Sequence, residues 1–244
     1  MTLAIDIGNS YTKLGIFDNN TLIFKDIIHK DEKRGLGNIA ETYDIRKVVV
    51  STVGREDLAE KEAVVRGIEV VRISRDMKLP FENGYMTPET LGLDRIAAMA
   101  GACGKHVDCK NFLVMDLGTC NTYDIILNGK FIGGNIAPGL EMRLRAMHEF
   151  TAKLPKVEVG EAIGIKEIMG RNTREAIGCG ALRGMIDEMN ACIERFKNTS
   201  PTGRIIMTGG YGEMVYKMVD KTVEYDPYLV LWGLKAVCEN STER

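Results

Sequence analysis

No apolar run in these 244 residues approaches the ~20 positions that a membrane-spanning helix needs. The N-terminus lacks the basic flank of a secretory signal and reaches Asp6 after only a few apolar residues, so no signal segment is expected. Long cationic runs are missing as well. Lys30-Asp31-Glu32-Lys33-Arg34 mixes its signs, and 32 basic against 34 acidic side chains leave a formal net charge of −2, so nucleic-acid binding has no electrostatic footprint. The six cysteines (Cys103, Cys109, Cys120, Cys179, Cys192, Cys238) form no CxxC pair and no Cys/His cluster. His29, His106 and His148 have no partner at ligand spacing, which argues against structural zinc. A disulfide framework is out of place in a chain with 45% hydrophobic residues, and the expected compartment is the reducing cytoplasm, with no membrane and no nucleic acid as partners. Low-complexity segments and linkers are absent too.

What the chain does contain is one pattern written twice. Leu3-Ala4-Ile5-Asp6-Ile7-Gly8-Asn9-Ser10-Tyr11-Thr12 aligns without a gap on Leu113-Val114-Met115-Asp116-Leu117-Gly118-Thr119-Cys120-Asn121-Thr122, 110 residues later. In both copies a second strand follows, Lys13–Asp18 and Tyr123–Asn128. Each Asp stands at the C-terminal end of a buried strand, where a metal-bound phosphate can be reached. Each Gly lets backbone N–H groups approach an anion, and the hydroxyls of Ser10, Thr12, Thr119 or Thr122 can add hydrogen bonds. A single copy reads more readily as a plain β-hairpin whose Asp and Gly only shape a turn. Two copies in register favour phosphate, and a duplication at half the chain length predicts two related domains, 1–111 and 112–244, facing each other across a cleft.

The rest of the chain alternates strands with helices. Thr2–Ile7, Lys13–Phe17, Thr21–Ile28, Lys47–Thr52 and Glu69–Ile73 read as strands, and Glu56–Gly67 as a helix. Lys78–Pro88, with two prolines, a glycine and an Asn, reads as a long irregular loop of the functional kind. Gly92-Leu93-Asp94-Arg95 opens an amphipathic helix with Ile96, Met99, Ala100 and Cys103 on one face and small residues over the rest. The second copy runs through three strands to Ile136, then a helix from Leu140 to about Phe150. A Gly-punctuated segment follows, then a long helix with Leu182, Met185, Ile186, Met189 and Ile193 in register. A strand at Arg204–Thr208 and a helix at Leu229–Cys238 close the chain. This order predicts α/β domains, each a mixed sheet beginning with an antiparallel meander.

The paired Asp-x-Gly hairpins resemble the phosphate elements of the superfamily that unites acetate and sugar kinases with actin and the heat-shock ATPases. The remaining motifs narrow the likeness. Asp6-Ile7-Gly8-Asn9-Ser10, Gly92-Leu93-Asp94-Arg95, Asp116-Leu117-Gly118-Thr119, Gly133-Gly134-Asn135-Ile136-Ala137-Pro138-Gly139, Ile163-Gly164 with Asn172-Thr173, and Thr208-Gly209-Gly210 occur in the order seen in type III pantothenate kinases. The resemblance covers roughly residues 2–239. It implies two duplicated ribonuclease H-like (actin-like ATPase) domains with mixed sheets, facing across a nucleotide cleft. One departure stands out: Gly118-Thr119-Cys120-Asn121-Thr122 replaces the family's usual Gly-Thr-Ala-Thr-Thr, which puts Asn121 in question as a phosphate ligand.

The implied reaction moves the ATP γ-phosphoryl group to the primary hydroxyl of pantothenate, the first step toward coenzyme A. On this reading Asp94 is the base that receives the hydroxyl proton, although an Asp at that place also reads as a helix N-cap. Asp6 holds Mg²⁺, and Asp6, Ile7, Gly8, Asn9, Ser10, Tyr11, Thr12 and Lys13 wrap the triphosphate; Lys13 otherwise reads as a solvated strand residue. Thr119 contacts ATP. Asp116 carries the family role of ligand for a monovalent cation, K⁺ or NH₄⁺, which the residues alone do not separate from a second Mg²⁺ contact. Tyr85, Gly92, Leu93, Asp94, Arg95 and Thr173 fall at the pantothenate positions. Arg95 pairs with either the pantothenate carboxylate or the transferring phosphate. The family is homodimeric, with the residue at the Thr173 position reaching the partner's pantothenate pocket. The apolar face of the long helix suits either such an interface or the core of the subunit. The competing readings are another small-molecule kinase of the superfamily and a non-catalytic transcriptional accessory protein; retention of Asp6, Asp94 and Asp116 favours catalysis.

Overall fold

Residues 1–8, 11–29, 39–52 and 63–242 are described by the computed structural model, and contacts divide the chain into two compact units. The first comprises Met1–Asp108, Gly129–Phe131 and Tyr228–Arg244, the second Cys109–Asn128 and Ile132–Pro227.

The first unit is built on strands whose apolar residues face inward. In β1 (Thr2–Ile7), Leu3, Ala4 and Ile5 are wholly buried. The β-branched run of β4 (Lys47–Thr52) buries Val48, Val49 and Val50, each worth about 1.5–3 kcal/mol on removal from water. With β2 (Tyr11–Asp18), β3 (Thr21–His29) and β5 (Glu69–Arg72) they form a sheet of order β3-β2-β1-β4-β5. The first three strands are an antiparallel meander, and β4 and β5 run parallel to β1. A short helix α1 (Ile39–Thr42) precedes β4. Of the helix expected over Glu56–Gly67, residues 63–67 are described: 63–65 are helical and 66–67 form a turn, while 56–62 lie outside the described residues. The irregular loop contains the two-residue strand β6 (Glu82–Asn83) and a 3₁₀ turn at Pro88–Thr90. Helix α2 (Leu93–Lys105) follows.

The second unit repeats the plan. Strands β7 (Phe112–Leu117), β8 (Cys120–Leu127), β9 (Lys130–Pro138), β10 (Arg204–Thr208) and β11 (Val223–Tyr225) stand in the order β11-β10-β7-β8-β9. Here too the first hairpin is antiparallel and the later strands run parallel to the first. Asn128 and Gly129, at φ 52° and 77°, make the tight turn between β8 and β9 with the backbone sense that a two-residue hairpin requires. The first residues of β9, Lys130 and Phe131, belong to the first unit, where they pair in parallel with β6. Helices α3 (Leu140–Glu149), α4 (Val159–Gly164), α5 (Thr173–Thr199) and the short α6 (Gly212–Val215) complete the unit. β11 escaped the sequence reading because three residues carry no usable period; its Tyr225 is fixed by stacking on Tyr216 at 5.1 Å.

One expectation differs from the structure. The division at 111/112 assigned the last helix, α7 (Leu229–Thr242), to the second domain, whereas it packs on α2 and β1 of the first unit. Small residues explain the placement. A Cβ on Gly233 would overlap the Ala97 carbonyl and one on Gly101 the Leu229 carbonyl, so the two helix backbones touch. Trp232 adds an edge-on contact with Phe17 at 4.9 Å. For the apolar face of α5, the sequence left the interface and the core both open. Leu182, Met185, Ile186, Met189 and Ile193 are all buried in the core of their own unit, against Leu113, Met115, Met207 and their neighbours. That stripe belongs to the subunit interior, not to an interface.

Candidate active site

The two Asp-x-Gly hairpins are closed differently. In the first, the ladder pairs Ile7 with Thr12 and Asp6 with Lys13, and Gly8 N–H donates to the Tyr11 carbonyl at 3.0 Å. In the second, Leu117 pairs with Asn121 and Asp116 with Thr122, and Gly118 N–H donates to the Cys120 carbonyl at 3.1 Å. The second turn is one residue tighter. Because side chains alternate along a strand, that single residue changes which one shares a face with the aspartate. Lys13 stands opposite Asp6, where a cation across the ladder suits a carboxylate, whereas Thr122 stands opposite Asp116.

In the first hairpin Asp6, Ile7, Thr12 and Lys13 are half-buried, and the exposed Tyr11 lays its ring edge-on to His29 at 4.7 Å. Asn9 and Ser10 lie outside the described residues. On the other side of β1, Ser51 of β4 pairs with Asp6. The equivalent neighbour of Asp116 is Thr208 of β10, whose buried hydroxyl has no hydrogen-bond partner among the described residues. Asp116 thus has a threonine at the matching ladder position on each side. Just beyond Thr208, Gly209 adopts φ 94°, and a Cβ there would meet Leu117 backbone and the Asp116 carboxylate. Only glycine admits that close approach.

Thr119 is exposed at the tip of the second turn, and its carbonyl accepts from Gly139 N–H at 3.0 Å. Cys120 faces out and Asn121 faces in, only 1% exposed. The amide of Asn121 therefore lies within the unit, on the face of β8 opposite to its neighbours, and takes no part at the surface of the turn. Tyr123 is buried below it and donates to Glu188 at 2.6 Å. Burial first, and then the Glu188 carboxylate, push the Tyr123 phenol well above its ordinary ionisation range, so it remains a donor.

The loop and α2 assemble a second group within the first unit. Gly92, in extended backbone, is the N-cap of α2, so the capping role that the sequence allowed Asp94 belongs to Gly92. Asp94 lies inside the first turn, exposed, and its Oδ1 accepts the Arg95 N–H at 2.8 Å. A Cβ on Gly92 would fall on that Asp94 oxygen, so the glycine makes room for the carboxylate. Arg95 is buried, with its guanidinium 5.4 Å from the centre of the Tyr85 ring and 5.7 Å from that of Phe131. The two rings are stacked on each other at 5.4 Å. Tyr85 is set by its own N–H, which donates to Asn83 Oδ1 at 3.0 Å. Desolvated cation–π contacts of this kind contribute about 2 kcal/mol. Tyr85, Gly92, Leu93, Asp94 and Arg95 thus form one neighbourhood, and Phe131 is the member that sequence reasoning missed. It sits in the second sequence copy, and nothing in its strand pattern signals that it packs with the first unit.

Thr173 is the first residue of α5 and is exposed. Asn172 caps that helix by accepting from Glu175 N–H at 3.0 Å, and Arg174 next to it makes a two-pronged pair with Glu161 at 2.7 Å.

Two sheets of the same strand order, each opening on an Asp-x-Gly hairpin, define the chain as a duplicated ribonuclease H-like, actin-like α/β protein. A ROK family glucokinase from Streptomyces griseus, solved with glucose and AMPPNP, matches 100% of this chain and 99% of its own at a TM-score of 0.54 and 14% identity. A Baf family protein from Campylobacter jejuni matches 97% of both chains at a TM-score of 0.61 and 20% identity. Both likenesses speak to the fold alone.

Sequence relationships go further. The family model for type III pantothenate kinase matches residues 2–195. Type III pantothenate kinases from Christiangramia forsetii and Bacteroides fragilis are 34% and 35% identical, each over 100% of both chains. The chain belongs to the type III pantothenate kinase family.

Proposed function

We propose that this protein transfers the γ-phosphoryl group of ATP to the primary hydroxyl of pantothenate, giving 4'-phosphopantothenate on the way to coenzyme A. Membership of the family supports the reaction, and one observation carries its assignment to residues. Asp94, exposed in the first turn of α2, has its carboxylate seated by Gly92 and stands next to a buried arginine. Asp94 accepts the proton of the pantothenate hydroxyl as that oxygen bonds to the γ-phosphorus and ADP leaves with the bridging oxygen. Tyr85, Gly92, Leu93 and Arg95 line the alcohol side, with Arg95 held on two rings so that its planar fork meets an anion in one orientation.

The donor set suits a magnesium–nucleotide substrate. No group of three or more His, Cys, Asp and Glu able to cage a metal occurs among the described residues. Mg²⁺ needs no such cage, since it keeps several waters and is bound by one or two carboxylates together with substrate phosphates. Asp6 is the carboxylate assigned to it, with Ile7, Gly8, Asn9, Ser10, Tyr11, Thr12 and Lys13 along the triphosphate and Thr119 as a further hydroxyl. When bound, the ion neutralises charge on the phosphate oxygens. Asp116, with Thr122 and Thr208 beside it in the ladder, is assigned a monovalent cation, K⁺ or NH₄⁺. The buried Thr208 hydroxyl, without a hydrogen-bond partner among the described residues, supports that assignment, because a cation offsets the cost of a buried oxygen left unpaired.

The active form on this reading is a homodimer in which the exposed Thr173 reaches the pantothenate site of the other subunit. No described helix is long and apolar enough to cross a membrane, and a cytoplasmic enzyme fits that. The deciding experiment is an assay of purified protein with ATP, Mg²⁺ and pantothenate, in K⁺, Na⁺ and cation-depleted Tris buffers. Formation of 4'-phosphopantothenate, faster in K⁺, is the expected outcome. No phosphorylated product under any buffer overturns the proposed activity, and equal rates in all three overturn the monovalent cation at Asp116.

A further inference from the structure

Below the second hairpin lies a polar group for which the proposed chemistry has no use: Tyr123 on β8, Arg143 on α3 and Glu188 on α5. Tyr123 donates to Glu188 Oε1 at 2.6 Å, and Arg143 Nη2 donates to Glu188 Oε2 at 2.7 Å. The Nε of the same guanidinium donates to the Pro138 carbonyl at 2.8 Å. One planar side chain therefore joins a carboxylate on the long helix to the carbonyl that ends β9. The next residue, Gly139, donates its N–H to the Thr119 carbonyl at 3.0 Å, and a Cβ on Gly139 would overlap the carbonyl of Gly118. Glu188, Arg143, Pro138, Gly139 and Thr119 form a continuous path from α5 to the tip of the second turn.

The other side of the turn is fastened to α3. Tyr211 N–H donates to the Leu117 carbonyl at 3.1 Å, and the Tyr211 hydroxyl donates to Glu141, in the first turn of α3, at 2.9 Å. The start of α3 is thus the part against which Gly118 and Thr119 are located, and Arg143 is what orients it. The side chains of Arg143 and Glu188 are 20% and 34% exposed, so water screens the pair and its value for overall stability is modest. Its geometry is more specific. Two donors of one rigid guanidinium aimed at two acceptors fix direction, which a lysine's single point charge does not.

We propose that Arg143 and Glu188 are positioning residues for nucleotide binding, setting the Gly118–Thr119 turn through Pro138 and Gly139. The inference rests on the reading of that turn as a phosphate element, and its test begins with nucleotide binding in the absence of pantothenate. Arg143→Met is expected to weaken equilibrium binding of Mg²⁺-AMPPNP by about tenfold, the scale of loss when a supporting contact behind a binding group is removed. It should also raise KM for ATP by a similar factor, speed hydrogen exchange at the Gly139 amide, and leave KM for pantothenate within about twofold of wild type. Arg143→Lys should recover part of the affinity. Glu188→Gln keeps an acceptor for Tyr123 and loses the one that Arg143 uses, so it should match Arg143→Met. Tyr123→Phe removes the far end of the path only; it should lower the thermal midpoint and leave AMPPNP affinity unchanged.

If Arg143→Met does not fold, Glu188→Gln and Arg143→Lys decide the matter. Wild-type affinity in folded Glu188→Gln, or an equal loss of affinity in Tyr123→Phe, overturns the positioning role. A wild-type protein that binds AMPPNP but does not phosphorylate pantothenate overturns the proposed activity and leaves this inference to be decided by the variants. A wild-type protein that binds no nucleotide overturns both.

Discussion

The backbone of Gly233 rests directly against the carbonyl oxygen of Ala97, with no room between them for a methyl group. The contact is repeated one turn away by Gly101 and Leu229, and it fastens the last helix to the helix that carries Asp94. Gly233→Ala should therefore force α2 and α7 apart and cost about 1–3 kcal/mol, the usual range for overpacking a well-filled core. Urea denaturation monitored by circular dichroism measures this. A variant with the wild-type midpoint shows that the helices do not meet there.

Asp94→Asn should lower kcat by about 10²- to 10⁴-fold, the usual loss for a general base, with the fold intact. The substitution preserves an acceptor for the Arg95 N–H, which the carboxylate now takes at 2.8 Å, so the start of α2 has no reason to unravel. Comparable turnover in a folded Asn variant removes Asp94 from the proton-transfer step.

The exposed place of Thr173 at the start of α5 gives the shared-site reading a direct test. Asp94→Asn and Thr173→Arg homodimers should each be inactive. Mixing them should restore activity, because one of the two sites in a hybrid dimer carries neither lesion. Mass spectrometry of tagged subunits verifies exchange. Verified hybrids without activity, or a fully active monomer in solution, would end the model.

Acid should weaken the protein through Asp220 among other groups. The Lys197 ammonium at 2.8 Å and donation from the Thr222 N–H and hydroxyl hold the Asp220 carboxyl well below the ordinary aspartate value of 3.8. A folded-state value below the unfolded one means stability that is present above about pH 4 and lost as the pH falls further. Asp220→Asn should lower the thermal midpoint at pH 6, and its gap to wild type should narrow steadily below pH 4. Parallel curves down to pH 3 would show that the pairing adds nothing. The effect is small, since Asp220 and Lys197 are both about a third exposed.

Much of this architecture is legible in the sequence because the information is local. Buried β-branched runs and the paired Asp-x-Gly turns announce both meanders, and Gly92 to Arg95 announce the start of α2. The gapless match of the two hairpins hides the one-residue difference in their turns, since pairing is set by hydrogen bonds across strands and leaves no mark in an alignment. Asn121 illustrates what alternation can give. With Cys120 outward and Tyr123 inward, period two already turns the Asn121 side chain into the unit. Phe131 and the destination of α7 are illegible for a different reason. Each is an ordinary apolar feature whose partner lies far away in sequence, 36 residues for Phe131 and Arg95 and 136 for Gly233 and Ala97.

The first unit is discontinuous, and the order of synthesis makes that matter. A nascent chain that has reached Pro227 holds every residue of the second unit, whose β-strands, α3 and α5 can pack at once. The first unit began earlier but still lacks Tyr228–Arg244, and with it the helix that covers Ala97, Gly101 and Phe17. Until those residues emerge, the Ala-rich side of α2, and the helix that bears Asp94, remains open to water and to other chains. The half of the protein translated first is the half completed last.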